Sequence, residues 1–336
     1  MKKLLKTIAL SLALTLIFPL LVSCSEKDKN GIADSESILS CGSREISYGL
    51  YKYFFLNYKD NYKKEDLEND SEAVYAEITD DCLKSLSGVY GVVTLCEQYG
   101  IYTTDADIKE KVNATIDSIC EQNINEENDK TGIKGYRKQL AANYMTEDIL
   151  RFILSVDYAE EKLFIKMTGE GGVINSDDAT VRLALEEEFI RVLQVYINTS
   201  ETDRSYEECK ALAEKIAKQA KDGADFDALV ANNSNDYTMT RDGYYMPRGW
   251  MEAEFEDVAF SLGIGESSDV LELGDGFHII KRYECEDEYI EKNYDMLKER
   301  YLTCKFYQIV DEHTKNISIT KGESFSAIAP DKIAFN

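Results

Sequence analysis

Two histidines and three prolines are all that this chain of 336 residues contains. With so few imidazoles, a histidine-rich metal centre or a Ser-His-Asp nucleophile has almost no candidate residues. Basic side chains are scarce too, 38 against 63 acidic ones, for a net charge of −25. That excludes nucleic acid as a partner, because neutralising phosphates needs clustered Lys and Arg. The eight cysteines include no CxxC pair, so neither a zinc site of local spacing nor a regular disulfide framework is supported. Nothing in the composition calls for a cofactor. What is present is a hydrophobic fraction of 44% and an aromatic fraction of 11%, enough for real cores. The length suits about two domains.

The first residues read as an address. Lys2, Lys3 and Lys6 precede an apolar run from Thr7 to Leu21, followed by Val22, Ser23 and Cys24. A charged start and an apolar stretch mark a secretory signal. The Leu-Val-Ser-Cys end resembles a bacterial lipobox. The resemblance implies cleavage after residue 23 and lipidation of Cys24, which would anchor the chain on the outer face of the cell membrane. Two acyl chains suffice for stable anchoring. Residues 24–42 begin with a polar stretch and read as a flexible stalk. The other cysteines, Cys41, Cys82, Cys96, Cys120, Cys209, Cys285 and Cys304, fall mostly at apolar positions and read as buried free thiols.

Residues 43–175 carry helical periodicity. Tyr48, Tyr51, Phe55 and Tyr58 share one helix face behind a Ser47 cap. Ile78, Cys82, Leu86, Val89 and Val93 mark a second helix, ending near Gly100. Ile108, Val112 and Ile116 mark a third, and Thr146 caps a fourth. The character changes over 176–285. After a helix capped by Ser176, the spacing predicts a strand over 189–197, a helix around Leu212, Ile216 and Ala220, and short helices at 226–231 and 255–262. Two strands, 270–273 and 277–282, close the region. Residues 232–249 read as a loop. The order β-α-α-α-β-β implies a small α+β domain. Residues 286–320 return to helix, with Ile290, Tyr294, Leu297, Tyr301 and Cys304 on one face. That helix needs an apolar partner, and the N-terminal helices are the available one; 321–336 form a tail.

Six segments then match one family in its own order. They are Gly223-Ala224-Asp225-Phe226-Asp227-Ala228-Leu229-Val230; Ser234-Asn235-Asp236; Arg248-Gly249-Trp250-Met251; Phe255-Glu256-Asp257-Val258-Ala259-Phe260; Gly265-Glu266-Ser267-Ser268; and Gly276-Phe277-His278-Ile279-Ile280-Lys281. Together they resemble the parvulin family of peptidyl-prolyl cis/trans isomerases. The whole layout resembles extracytoplasmic foldase lipoproteins of the PrsA type, whose helical part is similar to the SurA-like chaperone region. The implied fold is a parvulin-like domain inserted into an all-α SurA-like chaperone domain.

The resemblance assigns site residues one by one. Asp236 matches the polar position beside the substrate amide, and His278 the second of the family's two histidines. Gln194 stands where the family's first histidine would be, and it cannot titrate. Met251 and Phe255 match the proline pocket; four apart, they are expected on one face of a short helix. Gly243 stands where a pocket leucine would be, and Tyr245, with Tyr244, is expected to refill the groove. Read without the family, Asp236 is a turn-forming aspartate and Met251 and Phe255 are core residues. Two functions follow. One is an isomerase acting on Xaa-Pro bonds of exported polypeptides. The other is a holdase whose altered parvulin domain only grips unfolded chains.

Overall fold

The computed structural model describes residues 30–124, 131–200 and 202–335. Cys24 and the signal stretch lie outside the described residues. The described chain forms two compact units, one from residues 30–166 and 309–335, the other from residues 167–308.

The first unit is mainly helical. Strands β1 (Ser37–Cys41) and β2 (Arg44–Ser47) lead into helices α1 (Tyr48–Lys59), α2 (Lys64–Asn69), α3 (Ser71–Gln98), α4 (Ala106–Gln122), α5 (Ile133–Ala142) and α6 (Glu147–Thr168). The Ser47 hydroxyl accepts from the Leu50 N–H at 3.3 Å and starts α1. Tyr48, Tyr51 and Phe55 are buried along one face of α1, as the 3.6-residue period requires. Ile78, Cys82, Leu86, Val89 and Val93 are buried along α3. Two hydroxyl pairs tie these helices together: Tyr51 with Thr79 at 3.3 Å and Tyr58 with Ser85 at 2.6 Å.

The end of the chain returns to this unit. His313 Nε2 lies 2.8 Å from Thr94 Oγ1, and the Phe325 ring meets Tyr51 edge-on at 5.3 Å. A short strand, Thr320–Lys321, pairs with β1 in a three-stranded antiparallel sheet. The stalk reading of 24–42 therefore ends too late, since Ser37–Cys41 is a paired strand with Ile38, Leu39 and Cys41 buried. Its partners are a tight hairpin and a distant two-residue strand, which local patterning does not announce.

The second unit is a four-stranded antiparallel sheet with helices on both faces. A lead-in helix, α7 (Asp178–Glu187), is capped by Asp177, one residue later than expected, whose carboxylate accepts from the Thr180 N–H at 3.0 Å. Then come β3 (Ile190–Asn198), α8 (Tyr206–Lys221), α9 (Phe226–Asn233), β4 (Tyr244–Met246), α10 (Ala253–Ser261), β5 (Leu271–Leu273) and β6 (Gly276–Tyr283). The strand order is β4-β3-β6-β5. β4 lies inside the stretch read as a loop.

Alternation along the strands builds two cores. Leu193, Val195, Ile197, Phe277 and Ile279 pack against Cys209, Ala213 and Ile216 of α8 and Phe226 of α9. From the opposite face Ile190, Val192, Ile280 and Met246 pack against Phe255 and Ala259 of α10.

Two helices follow, α11 (Asp287–Lys292) and α12 (Tyr294–Thr314). The sequence assigned all of 286–320 to packing on the N-terminal helices. The part of α12 up to Gln308 instead belongs to the sheet unit. There the Arg300 guanidinium donates to the Tyr245 carbonyl and lies 4.3 Å from the Trp250 ring. Lys305 pairs with Glu188 at 2.8 Å. An amphipathic face shows that a helix needs a partner, not which one it takes. All seven described cysteines are free thiols, five of them buried.

Candidate active site on one face of the antiparallel sheet

In the antiparallel pairing Gln194 sits opposite Ile280, Tyr196 opposite His278 and Val192 opposite Tyr244. Opposite residues share a face, so Gln194, Tyr196, His278 and Tyr244 all project to the α10 side. Gln194 and His278 are each 6% exposed. Polar groups buried that deeply need partners, and a continuous chain of hydrogen bonds supplies them. His278 Nδ1 lies 2.8 Å from Gln194 Oε1. Gln194 Nε2 donates to Asp236 Oδ2 at 2.6 Å, and the Tyr244 hydroxyl donates to the same oxygen at 2.7 Å. An ionised carboxylate only accepts. The Gln194 amide nitrogen must therefore face Asp236, its oxygen faces the imidazole, and Nδ1 carries the proton.

Asp236 does two jobs at once. Its Oδ1 accepts from the Thr238 N–H at 3.0 Å, the Thr238 hydroxyl at 2.8 Å and the Met239 N–H at 3.1 Å. That is the turn-forming aspartate of the plain reading. Its Oδ2 serves the network. Ser234 fastens this loop to β3, accepting from the Tyr196 N–H at 3.1 Å and from the Asp236 N–H at 3.2 Å.

Electrostatics follow from these partners. Burial works to raise the Asp236 pKa, but the hydrogen bonds from Tyr244, Thr238 and Gln194 outweigh it and hold the carboxyl below its ordinary value. Burial pushes the His278 imidazole below its ordinary value, and the nearby carboxylates of Asp275, Glu252 and Asp236 offset this only in part. The imidazole Nε2 lies 3.2 Å from Asp275 Oδ1, and its ring stacks on Tyr196 at 4.8 Å.

The apolar half of the site lies beside the imidazole. Phe255, 4% exposed, meets His278 edge-on at 6.1 Å. Met251 is half-buried in the same cluster. It does not share a helix face with Phe255, because α10 begins only at Ala253. The turn holding it is shaped by Glu256, whose buried carboxylate accepts from the N–H groups of Gly249 at 2.8 Å and Met251 at 2.7 Å. The structure thus brings together Asp236, His278, Gln194, Phe255 and Met251.

Two expected residues are not among them. Tyr245 is 1% exposed and points to the opposite face, where it stacks on Tyr289 at 4.0 Å. Strand alternation gives the groove to Tyr244 instead. Gly243 lines nothing. It has φ +79°, and a Cβ there would sit 2.5 Å from both Val192 O and Leu193 Cδ1, so glycine lets the loop lie against β3. Sequence reasoning missed Asp275, Tyr196 and Glu256. Alternation from His278 pointed to Tyr196 once β3 and β6 were paired; nothing local pointed to the other two.

A model of the PPIC-type PPIASE domain matches residues 180–285. The peptidyl-prolyl cis-trans isomerase Pin1 of Malus domestica is 36% identical over 91 residues, covering 26% of this chain and 72% of that protein. This chain belongs to the PPIC-type, or parvulin, peptidyl-prolyl isomerase family. The likeness also runs beyond the parvulin domain. The foldase protein PrsA of Caldanaerobacter subterraneus subsp. tengcongensis is 26% identical over 290 residues, 82% of each chain. A crystal structure of PrsA from Bacillus anthracis covers 68% of this chain and 95% of its own at 17% identity, with a TM-score of 0.35. Two other relatives are matched over only 45% and 32% of their own length. Within this parvulin, the departure at the first histidine position has a structural meaning. Gln194 spans the distance between Asp236 and His278 and holds both, with one donor and one acceptor.

Proposed function

We propose that the chain is a foldase that accelerates cis/trans isomerisation of Xaa-Pro bonds in non-native exported polypeptides, held at the outer face of the membrane by a lipid on Cys24. One observation carries the catalytic reading: a rigid, fully bonded polar face of Gln194, Asp236 and His278 directly beside the apolar Phe255 and Met251. Amide resonance sets the rotation barrier at about 18–20 kcal/mol. Water favours the planar, charge-separated amide, so a pocket that strips water from it and fits the twisted form better lowers the barrier without a covalent step. Phe255 and Met251 hold the proline ring. His278, with its Nδ1–H committed to Gln194 and its Nε2 beside Asp275, offers a fixed surface rather than a mobile proton. Asp236 keeps Gln194 and Tyr244 oriented.

The test is exchange of a proline-containing tetrapeptide. The wild type is expected to accelerate it, and Phe255→Leu, which takes the aromatic wall from the pocket but keeps an apolar core, to slow it at least tenfold. A folded wild type without any acceleration overturns the catalytic reading, and Gln194→His then asks whether an imidazole restores it.

A second reading has its own observation. The helical unit contains a cavity of 850 Å³ lined by Tyr53, Phe54, Tyr58, Tyr136 and Leu140 with side-chain amides such as Gln139. Aromatic walls with amides that both donate and accept suit an extended chain, which supports a holdase role alongside catalysis. Suppression of aggregation of an unrelated unfolded protein by Phe255→Leu, at wild-type level, would separate this role from turnover.

A further inference from the structure

We infer that Tyr144 is a positioning residue for chain binding in the helical unit: it fastens the two walls of the cavity to each other, and the protein's own C-terminal segment holds it there. The inference rests on the chain-binding reading above. One wall comes from α1 and the residues just after it, with Asn57 and Asn61; the other comes from the turn between α5 and α6, with Asn143 and Met145. Asp60 precedes Asn61 directly, and Tyr144 stands between Asn143 and Met145. The Tyr144 hydroxyl donates to Asp60 Oδ2 at 2.8 Å, across 84 positions of sequence. Burial first, and then the Asp60 carboxylate, push this hydroxyl up to about 12, so it stays protonated and remains the donor.

The backbone at Tyr144 shows that a side chain is retained there against its conformational cost. Among the described residues ten glycines have positive φ and one other residue does, Tyr144 at +54°. It closes α5: the Tyr144 N–H donates to the Ala141 carbonyl at 3.2 Å and the Met145 N–H to the Leu140 carbonyl at 2.9 Å. This is the left-handed helix stop that glycine fills without strain, and a residue with a Cβ is strained in it. As a helix stop alone, glycine would serve better. Glycine supplies neither the reach to Asp60 nor the contact with Phe335, whose ring meets Tyr144 edge-on at 6.1 Å. The segment carrying Phe335 is itself fixed. Ile333 is buried, Ala329 exchanges two hydrogen bonds with the Asn30 side chain, at 2.8 and 3.2 Å, and Lys52 Nζ, paired with Asp34, lies 5.9 Å from the Phe335 ring centre. Chain end, helix stop and the residue after α1 thus form one run of contacts that sets the spacing of the cavity walls, and strain held in place by its surroundings is a mark of functional positions.

The experiment uses the chain without its leader and a fluorescein-labelled unfolded peptide of Gln, Ser and Leu, its affinity read by anisotropy. The peptide lacks proline, so the cleft of the sheet unit does not select it. It carries no charged side chains, because the two charged side chains lining the cavity, Lys111 and Glu161, already pair with each other at 2.9 Å. Tyr144→Phe, which keeps the ring but not the bond, is expected to weaken binding about fivefold. Asp60→Ala should do the same, and the double variant should be no worse than either, as two ends of one interaction require. Asp60→Asn, whose amide oxygen still accepts, should bind like the wild type. Phe335→Ala should weaken binding about threefold through the loss of one aromatic contact. Hydrogen exchange of the free protein reads the fastening without any peptide: amides 57–61 should exchange faster in Tyr144→Phe, an effect that a mere stop for α5 would not produce, and far-UV spectra confirm the fold. Wild-type affinity in both Tyr144→Phe and Asp60→Ala overturns the inference and leaves chain binding standing. No binding by the wild type overturns the chain-binding reading, and unchanged exchange at 57–61 then overturns the fastening as well.

Discussion

The two units differ in the buried polar groups they hold. In the sheet unit Gln194, His278, Glu256 and Ser268 are all buried, and each has hydrogen-bond partners. Arg300 Nε has no partner among the described residues. In the helical unit the buried Tyr136 hydroxyl likewise has none among them, while the buried Lys52 ammonium is paired with Asp34 at 2.6 Å. Asp157, on α6, is pushed up to about 7 by burial alone, and its charge helps burial raise Tyr53 to about 12. A satisfied network locks side chains in one arrangement. Unsatisfied groups cost stability. The division of roles proposed above assigns catalysis to the sheet unit and chain binding to the helical one.

The comparison can be broken from either side. The largest effect is expected from Phe255→Ala, which removes a ring from both the sheet-unit core and the proline pocket. It should cost about 3 kcal/mol in the unfolding of that unit and abolish tetrapeptide turnover. Chemical denaturation followed at Trp250, which lies in the same core, reads the first, and the unfolding of the helical unit should not shift.

Asp157→Asn probes the helical unit with the opposite sign. The native pKa of Asp157 is raised from 3.8 to about 7. Its unfavourable linkage is therefore absent below the ordinary carboxylate range and grows as pH rises towards and through 7. The substitution should stabilise this unit by up to about 4 kcal/mol at pH 8 and by well under about 1 kcal/mol at pH 4. Melting curves at both pH values check it, and an equal shift at both would show that packing, not charge, is the cause.

The smallest effect on stability is expected from Asp236→Asn. One amide oxygen cannot accept from Gln194 and Tyr244 on one side and from the Thr238 turn on the other. The cost should be about 1 kcal/mol, yet turnover should fall about tenfold as Gln194 and His278 lose their fixed orientation. Its own pH dependence has a clear sign. The Asp236 pKa is lowered in the folded state, so the stability it contributes is present at neutral pH and is lost as pH falls below the carboxylate range. Wild type and Asp236→Asn should therefore converge in acid.

Legibility in the sequence followed element length. α1, α3, α6 and α8 carry several turns of periodic apolar residues, and their positions agree with the pattern to within a few residues. β4 has three residues and the C-terminal strand two, too short for alternation to register. Missing β4 had a direct consequence for the site. Without its pairing, Tyr244 and Tyr245 could not be told apart, and a strand places neighbours on opposite faces. Asp236, His278 and Gln194 were found by motif position, but that Gln194 bridges the other two was not. Hydrogen bonds between residues 194, 236 and 278 depend on how β3, β6 and the loop after α9 are brought together.

Sequence alone was enough for the acidic balance, the helical faces and the parvulin motifs, because each is a property of neighbouring residues or of composition. Which face of β4 looks into the cleft, which unit α12 joins first and how a glutamine stands in for an imidazole were decided only in three dimensions. Those outcomes rest on strand register and on contacts between residues far apart in the chain, and local spacing carries no record of either.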